Sequence, residues 1–171
     1  MLAALETIDA AAILDVGCGT GALLEAVAAA RPEARLLGVD LSPEMIAVSE
    51  ARLGGRADLA VADAEALPLD DGAADLVICA DSFHHYPAPA AALAEMHRVT
   101  VPGGRLVLGD WYVGAAFRWF MNRVLPRVPS GDVRIYTPDE LRLLAENAGY
   151  QVERCETAGV RAQVLVARRP S

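Results

Sequence analysis

The chain has 171 residues, a formal net charge of −8 and 54% hydrophobic residues. That length suits one domain with a core of its own, and that composition excludes a disordered or collagen-like chain. No apolar run reaches the roughly 18 residues needed to span a bilayer. The N-terminus lacks the basic region of a secretory signal.

All 15 basic residues are Arg, and about one residue in five is Ala. We read both as compositional bias rather than function. The acidic balance argues against a nucleic-acid footprint, which depends on clustered basic residues. Cys18, Cys79 and Cys155 fit no CxxC or metal-ligand spacing, so a reduced, cytoplasmic protein is expected. No metal is expected either, and the sequence carries no signal that fixes an oligomeric state.

Short apolar runs alternate with helical stretches. Residues 11–16 read as a buried strand, followed by a glycine turn and a helix over 21–30. Residues 34–40 form a second strand. Ser42, Pro43 and Glu44 then open a helix to about Leu53, by N-cap, first-turn proline and dipole complementarity. Strands follow at 57–63 and 74–81. A helix spans 88–99, and Pro102-Gly103-Gly104 make a turn before a strand over 105–111. Thr137-Pro138-Asp139-Glu140 opens another helix that ends at Gly149. Residues 150–157 and 161–168 read as two last strands, joined too tightly to be parallel neighbours. The whole predicts an α/β domain, a doubly wound, mostly parallel sheet covered on both faces.

The sharpest feature is Asp15-Val16-Gly17-Cys18-Gly19-Thr20-Gly21, which leaves the first strand and enters the first helix. Glycines there permit close approach of a ligand to backbone N–H groups. Asp40 ends the second strand about 20 residues on, where a carboxylate can accept from both ribose hydroxyls. Gly17, Gly19 and Ala22 also satisfy the dinucleotide fingerprint, so an NAD-dependent oxidoreductase must be weighed. Asp15 beside the loop suits a cationic ligand group better than a pyrophosphate, and Gly21 shortens the glycine spacing.

The segments ILDVGCGTGALL, GVDLSPEMI, VADAEALPL, DLVICADSFHHY and RVTVPGGRLVLGD resemble successive motifs of class I S-adenosylmethionine-dependent methyltransferases. The likeness is to the small-molecule type that includes the ubiquinone/menaquinone-biosynthesis enzymes. It covers residues 11–110 most strongly. It implies a Rossmann-like sheet of seven strands, six parallel and the last antiparallel. It implies S-adenosyl-L-methionine as cofactor and a small-molecule acceptor. Gly17, Cys18, Gly19 and Gly21 would approach the methionine part, and Asp15 would orient the loop or its ligand. Asp40 would hold the ribose. Leu41 and Met45 would flank the adenine, Asp63 and the Ala64 N–H would meet its edge, and Ala80 would lie beside the cofactor.

Methyl transfer needs alignment above all, and a base only where the acceptor must lose a proton. Asp81, His84 and His85 follow the fourth strand and are the candidates. Adjacent imidazoles on an irregular loop are expected to diverge. One of them, His85 by preference, would meet substrate while the other caps or packs. Asp81 would orient cofactor or histidine.

Residues 111–136 hold six of the nine aromatics, with Arg118, Arg123, Arg127 and Arg134. The resemblance implies a substrate cap there. Phe117, Phe120, Met121, Val124 and Leu125 keep helical spacing, and their packing on the core is the expected reading. A non-catalytic cofactor-binding module is a further alternative. About ten residues precede the first strand, fewer than is usual in such enzymes. The resemblance therefore implies a site that is open, closed by 111–136 or completed by another subunit.

Overall fold

The computed structural model describes residues 8–125, 132–159 and 161–171. Five strands, β1 (Ala12–Val16), β2 (Arg35–Asp40), β3 (Asp58–Val61), β4 (Ala74–Ala80) and β5 (Thr100–Trp111), run parallel. β7 (Ala162–Arg168) pairs antiparallel with β5 and with the outer β6 (Gln151–Ala158). The sheet has seven strands in the order β3-β2-β1-β4-β5-β7-β6, so six strands point one way and β7 opposes them.

The period-2 alternation of each strand builds two cores. Leu14, Val16, Val77, Cys79, Leu106 and Leu108 face one side. That side is covered by α3 (Pro89–Val99) and α5 (Pro138–Asn147), through Leu93, Met96, Leu141 and Ala145. Ile13, Leu36, Leu76, Ile78 and Val107 face the other, under α1 (Ala22–Ala30) and α2 (Pro43–Leu53), through Leu24, Val27, Ile46 and Leu53. The helix starts follow their sequence signals. Ser42 Oγ accepts from Met45 N–H at 3.2 Å. Thr137 and Glu140 close a reciprocal capping box.

Two expectations change. The turn foreseen at 102–104 lies within β5, which starts at Thr100. Its pairing to β4 jumps from Ala74–Thr100 to Leu76–Arg105, so the Pro-Gly-Gly residues bulge. Arg169 closes the bulge: its carbonyl accepts Gly103 N–H and its N–H donates to the Gly104 carbonyl, both at 2.9 Å.

The second change concerns α4 (Ala115–Val124), the helix within 111–136. It exists, but none of its residues is buried. Phe117, Trp119 and Phe120 are each more than half exposed, and only Leu125 just beyond is buried. Asn122, half-buried with Met121 and Val124, ties the inner side of α4 to Ile135 by bonding both its N–H and its carbonyl, while Phe117, Trp119 and Phe120 face outward.

Candidate active site

The strand order reverses between β1 and β4, and a cleft of about 750 Å³ opens at their carboxyl ends. The local sequence makes this floor by backbone contact. Gly17 and Cys18 N–H both donate to the Val39 carbonyl, at 2.8 and 2.9 Å. Asp40 then binds the loop: Oδ2 accepts Gly19 N–H at 2.8 Å and Oδ1 accepts Ser42 N–H at 2.9 Å. Gly17 has φ +75°, and a Cβ there would stand 2.5 Å from Ser82 Oγ and 2.9 Å from Tyr86 OH. Gly21 likewise leaves room for Ser49 Oγ under α1.

Gly17, Asp40, Leu41, Met45, Asp63, Ala64 and His85 all line the cleft. Leu41 is 70% exposed and Met45 38% exposed, an apolar rim open to a flat ligand. Asp63 is exposed, and its Oδ1 accepts Glu65 N–H at 2.9 Å. Ala64 is buried beside it.

Asp15, Cys18, Gly19, Gly21 and Ala80 stand behind the lining. Asp15 is buried and its Oδ1 has no hydrogen-bond partner. Burial, then the charge of Asp40, push its pKa up to about 7. A buried carboxyl with one unpartnered oxygen next to the glycine loop would gain from a cationic group beside it. Burial, then the Asp15 and Asp40 charges, push the Cys18 thiol up to about 12; burial does the same for Cys79. Neither thiol is a nucleophile at neutral pH.

The β4 side of the cleft is built by a 3₁₀ turn, Phe83–His85. Asp81 enters it with φ 55°, a left-handed conformation that Asp tolerates better than most residues. Asp81 is exposed and lies outside the cleft lining. His84 is buried, its Nδ1 2.6 Å from Asp110 Oδ1, while His85 is exposed to the cleft.

The two imidazoles differ in setting, one buried and one in the cleft, yet their ring centroids are 4.1 Å apart and one carboxylate, Asp132, lies near both. Linear spacing also hides a grouping of possible ligand atoms: those of His84, His85 and Asp132 lie within 4.8 Å of one another.

Ser82, Tyr86 and Pro87 line the cleft too, though no role is foreseen for them in the sequence. Ser82 and Tyr86 hydroxyls donate to the Val16 carbonyl at 3.2 and 3.3 Å. Only their adjacency to the histidines, in DSFHHY, signals them. Asp110 and Asp132 carry no local signal. Among the foreseen cap residues, Tyr136 is buried against Phe83 and Trp111 stacks on His84. Arg134 pairs with Glu140, and Arg127 lies outside the described residues.

The methyltransferase-domain family profile matches residues 14–108. The chain belongs to this methyltransferase family. It is 33% identical to a demethylmenaquinone methyltransferase of Thermus thermophilus, over 92% of this chain and 82% of that enzyme. It is 35% identical to a demethylmenaquinone methyltransferase of Deinococcus radiodurans, over 73% of this chain. The chain spans only 57% of that relative's length. A solved methyltransferase-type structure from Bacillus halodurans shares the fold, with TM-score 0.85, 20% identity, and 99% and 97% of the two chains covered.

Family membership brings S-adenosyl-L-methionine as the cofactor and overrides the NAD reading. The residues present fit it. Gly17 without a Cβ, the Asp40 carboxylate and the apolar rim of Leu41 and Met45 line one cleft, and Asp15 is a buried carboxyl with one unpartnered oxygen. Among the described residues no helix is long and apolar enough to cross a membrane.

Proposed function

We propose that this chain transfers the methyl group of S-adenosylmethionine to a small-molecule acceptor placed against His85, releasing S-adenosylhomocysteine. The observation that carries the proposal is the convergence of Gly17, Asp40, Leu41, Met45, Asp63, Ala64 and His85 on one cleft. Bound there, the cofactor supplies an electrophilic methyl on a sulfonium.

The residues divide the work as follows. Gly17 lets the methionine moiety approach the backbone. Asp15, behind the loop, favours the cationic end. Asp40 has spare lone pairs beyond its two backbone bonds and offers them to the ribose hydroxyls. Leu41 and Met45 cover the adenine faces, and Asp63 with the Ala64 N–H reads its edge. Cys18, Gly19, Gly21 and Ala80 shape the wall.

His85 is the basic group at the acceptor end. Transfer of that methyl would break its bond to sulfur with the electron pair kept on sulfur, and this chain's part would be to hold acceptor and methyl in line. The proton lost by the acceptor passes to His85 and then to solvent. His84 and Asp81 support the turn that carries it. α4 and residues 132–136 roof the acceptor. The names of the relatives support a quinol-type acceptor, and the three free thiols support a cytoplasmic setting.

Isothermal titration with S-adenosylhomocysteine and, separately, NADH tests the cofactor assignment: the first binds and the second does not. His85→Ala lowers turnover of a demethylated naphthoquinol on the order of 100-fold, far more than it weakens S-adenosylhomocysteine. Binding of NADH alone overturns the proposal.

A further inference from the structure

Residues 132–136, the return segment ahead of α5, are clipped onto the histidine turn. The His84 carbonyl accepts Val133 N–H at 2.8 Å and Arg134 N–H at 3.2 Å. Asn122 holds the neighbouring Ile135 by two further bonds, at 3.0 and 2.8 Å. These contacts deliver Asp132 to both imidazoles. Its Oδ1 lies 3.4 Å from His84 Nε2 and 3.3 Å from His85 Nδ1.

The far side of His84 is fixed as well. Nδ1 meets Asp110 Oδ1, and Asp110 Oδ1 also accepts Trp111 N–H at 2.7 Å. The Trp111 ring stacks on the imidazole. The groups facing His84 are thus Asp110 and Trp111 from β5, Asp81 from the end of β4, His85 from the turn and Asp132 from the return segment. Burial alone lowers the His84 pKa. The Asp110 hydrogen bond and charge, then the charges of Asp132 and Asp81, outweigh it and raise the pKa. Protonated His84 donates from both nitrogens, one to each flanking carboxylate.

Asp132 faces His85 through Nδ1 only. A neutral imidazole carries one N–H, and a carboxylate on one side places it on that side. We propose that Asp132 is a positioning residue that holds His85 as its Nδ1–H tautomer, so that Nε2 keeps the lone pair that takes the acceptor's proton. The Asp110–His84 pair is the fixed mount on which Asp132 sits. No proton passes to Asp132: it compensates the charge that His85 gains, and the proton on Nε2 leaves to solvent. Contacts of 3.3–3.4 Å are long for hydrogen bonds, as is common before a substrate closes such a site. The inference rests on the reading of His85 as base.

The test reads tautomers directly and needs no acceptor. Long-range ¹H–¹⁵N NMR of ¹⁵N-histidine protein at pH 8 resolves three imidazoles, assigned through His85→Gln and His97→Gln. The expected result is a neutral His85 with a protonated Nδ1. Asp132→Ala moves it to the Nε2–H form that free imidazole side chains prefer, and Asp132→Glu restores the Nδ1–H form. A neutral His85 that is Nε2–H in the unaltered protein overturns the inference. So does an Nδ1–H form unchanged by Asp132→Ala. Failure to bind S-adenosylhomocysteine would instead strike the methyl-transfer reading, and the tautomer result would stand apart from it.

Discussion

His84 Nδ1 lies 2.6 Å from Asp110 Oδ1, with both side chains buried. The two residues are 26 positions apart and come from different strand ends. Their contact fixes one ring of a histidine pair and leaves the other in the cleft.

That pairing has a pH signature. The His84 pKa is raised in the folded chain from its ordinary 6.5. The stability it contributes is therefore fully present below pH 6.5 and is lost as pH rises through the folded value. Asp110→Asn removes most of this dependence and costs about 1–3 kcal/mol at pH 6. Thermal melts of both proteins between pH 6 and 9 check it. Parallel curves would show that Asp110 does not set the His84 charge.

Asp15 titrates in the opposite sense to a paired carboxylate. With a folded pKa of about 7 against 3.8, its neutral form is favoured, so its contribution to stability falls as pH rises from about 4 to 7. A cationic ligand group beside it favours the anion, so S-adenosylmethionine binding near pH 7 releases a proton. Calorimetry in buffers of different ionisation enthalpy measures the release. Asp15→Asn abolishes it.

Asp40 joins the glycine loop to α2 through Gly19 and Ser42 N–H. Asp40→Ala removes both acceptors and the ribose contact proposed for it. The expected cost is about 1–3 kcal/mol of S-adenosylhomocysteine affinity. Unchanged affinity in calorimetry would move the ribose elsewhere.

Gly17→Ala must hold an L-residue at φ +75° and drive a methyl group into Ser82 and Tyr86. The left-handed backbone alone costs roughly 1–2 kcal/mol. Melting temperature and cofactor affinity are both expected to fall. Ser82→Gly in the same chain relieves the Ser82 collision but neither the Tyr86 contact nor the backbone cost, so it restores part of each.

The outward stripe of α4 gives a contrast in stability. Phe117→Ser and Phe120→Ser are expected to change unfolding free energy by no more than about 0.5 kcal/mol. Phe83→Ala, fully buried, costs about 3–5 kcal/mol. Urea denaturation distinguishes them, and a large loss at Phe117 would mean that α4 packs inward.

The sequence by itself determined the strand and helix order and the paired capping signals at Ser42 and Thr137, and its resemblance to a family marked Gly17, Asp40, Leu41, Met45, Asp63 and Ala64, which line the cleft. The elements are legible because each depends on local chemistry: period-2 burial and a cap within three residues. The tertiary structure decided which way α4 faces. Asn122 satisfies both polar groups of Ile135 from the inner side of that helix, while Phe117 and Phe120 of the stripe that reads as core face outward. It also decided the histidines. Their convergence depends on Asp110 and Asp132, carboxylates that are distant in sequence and brought to one turn only when β5 and the return segment close over β4. Buried polar groups must find partners wherever the fold supplies them, and no local pattern records where that is.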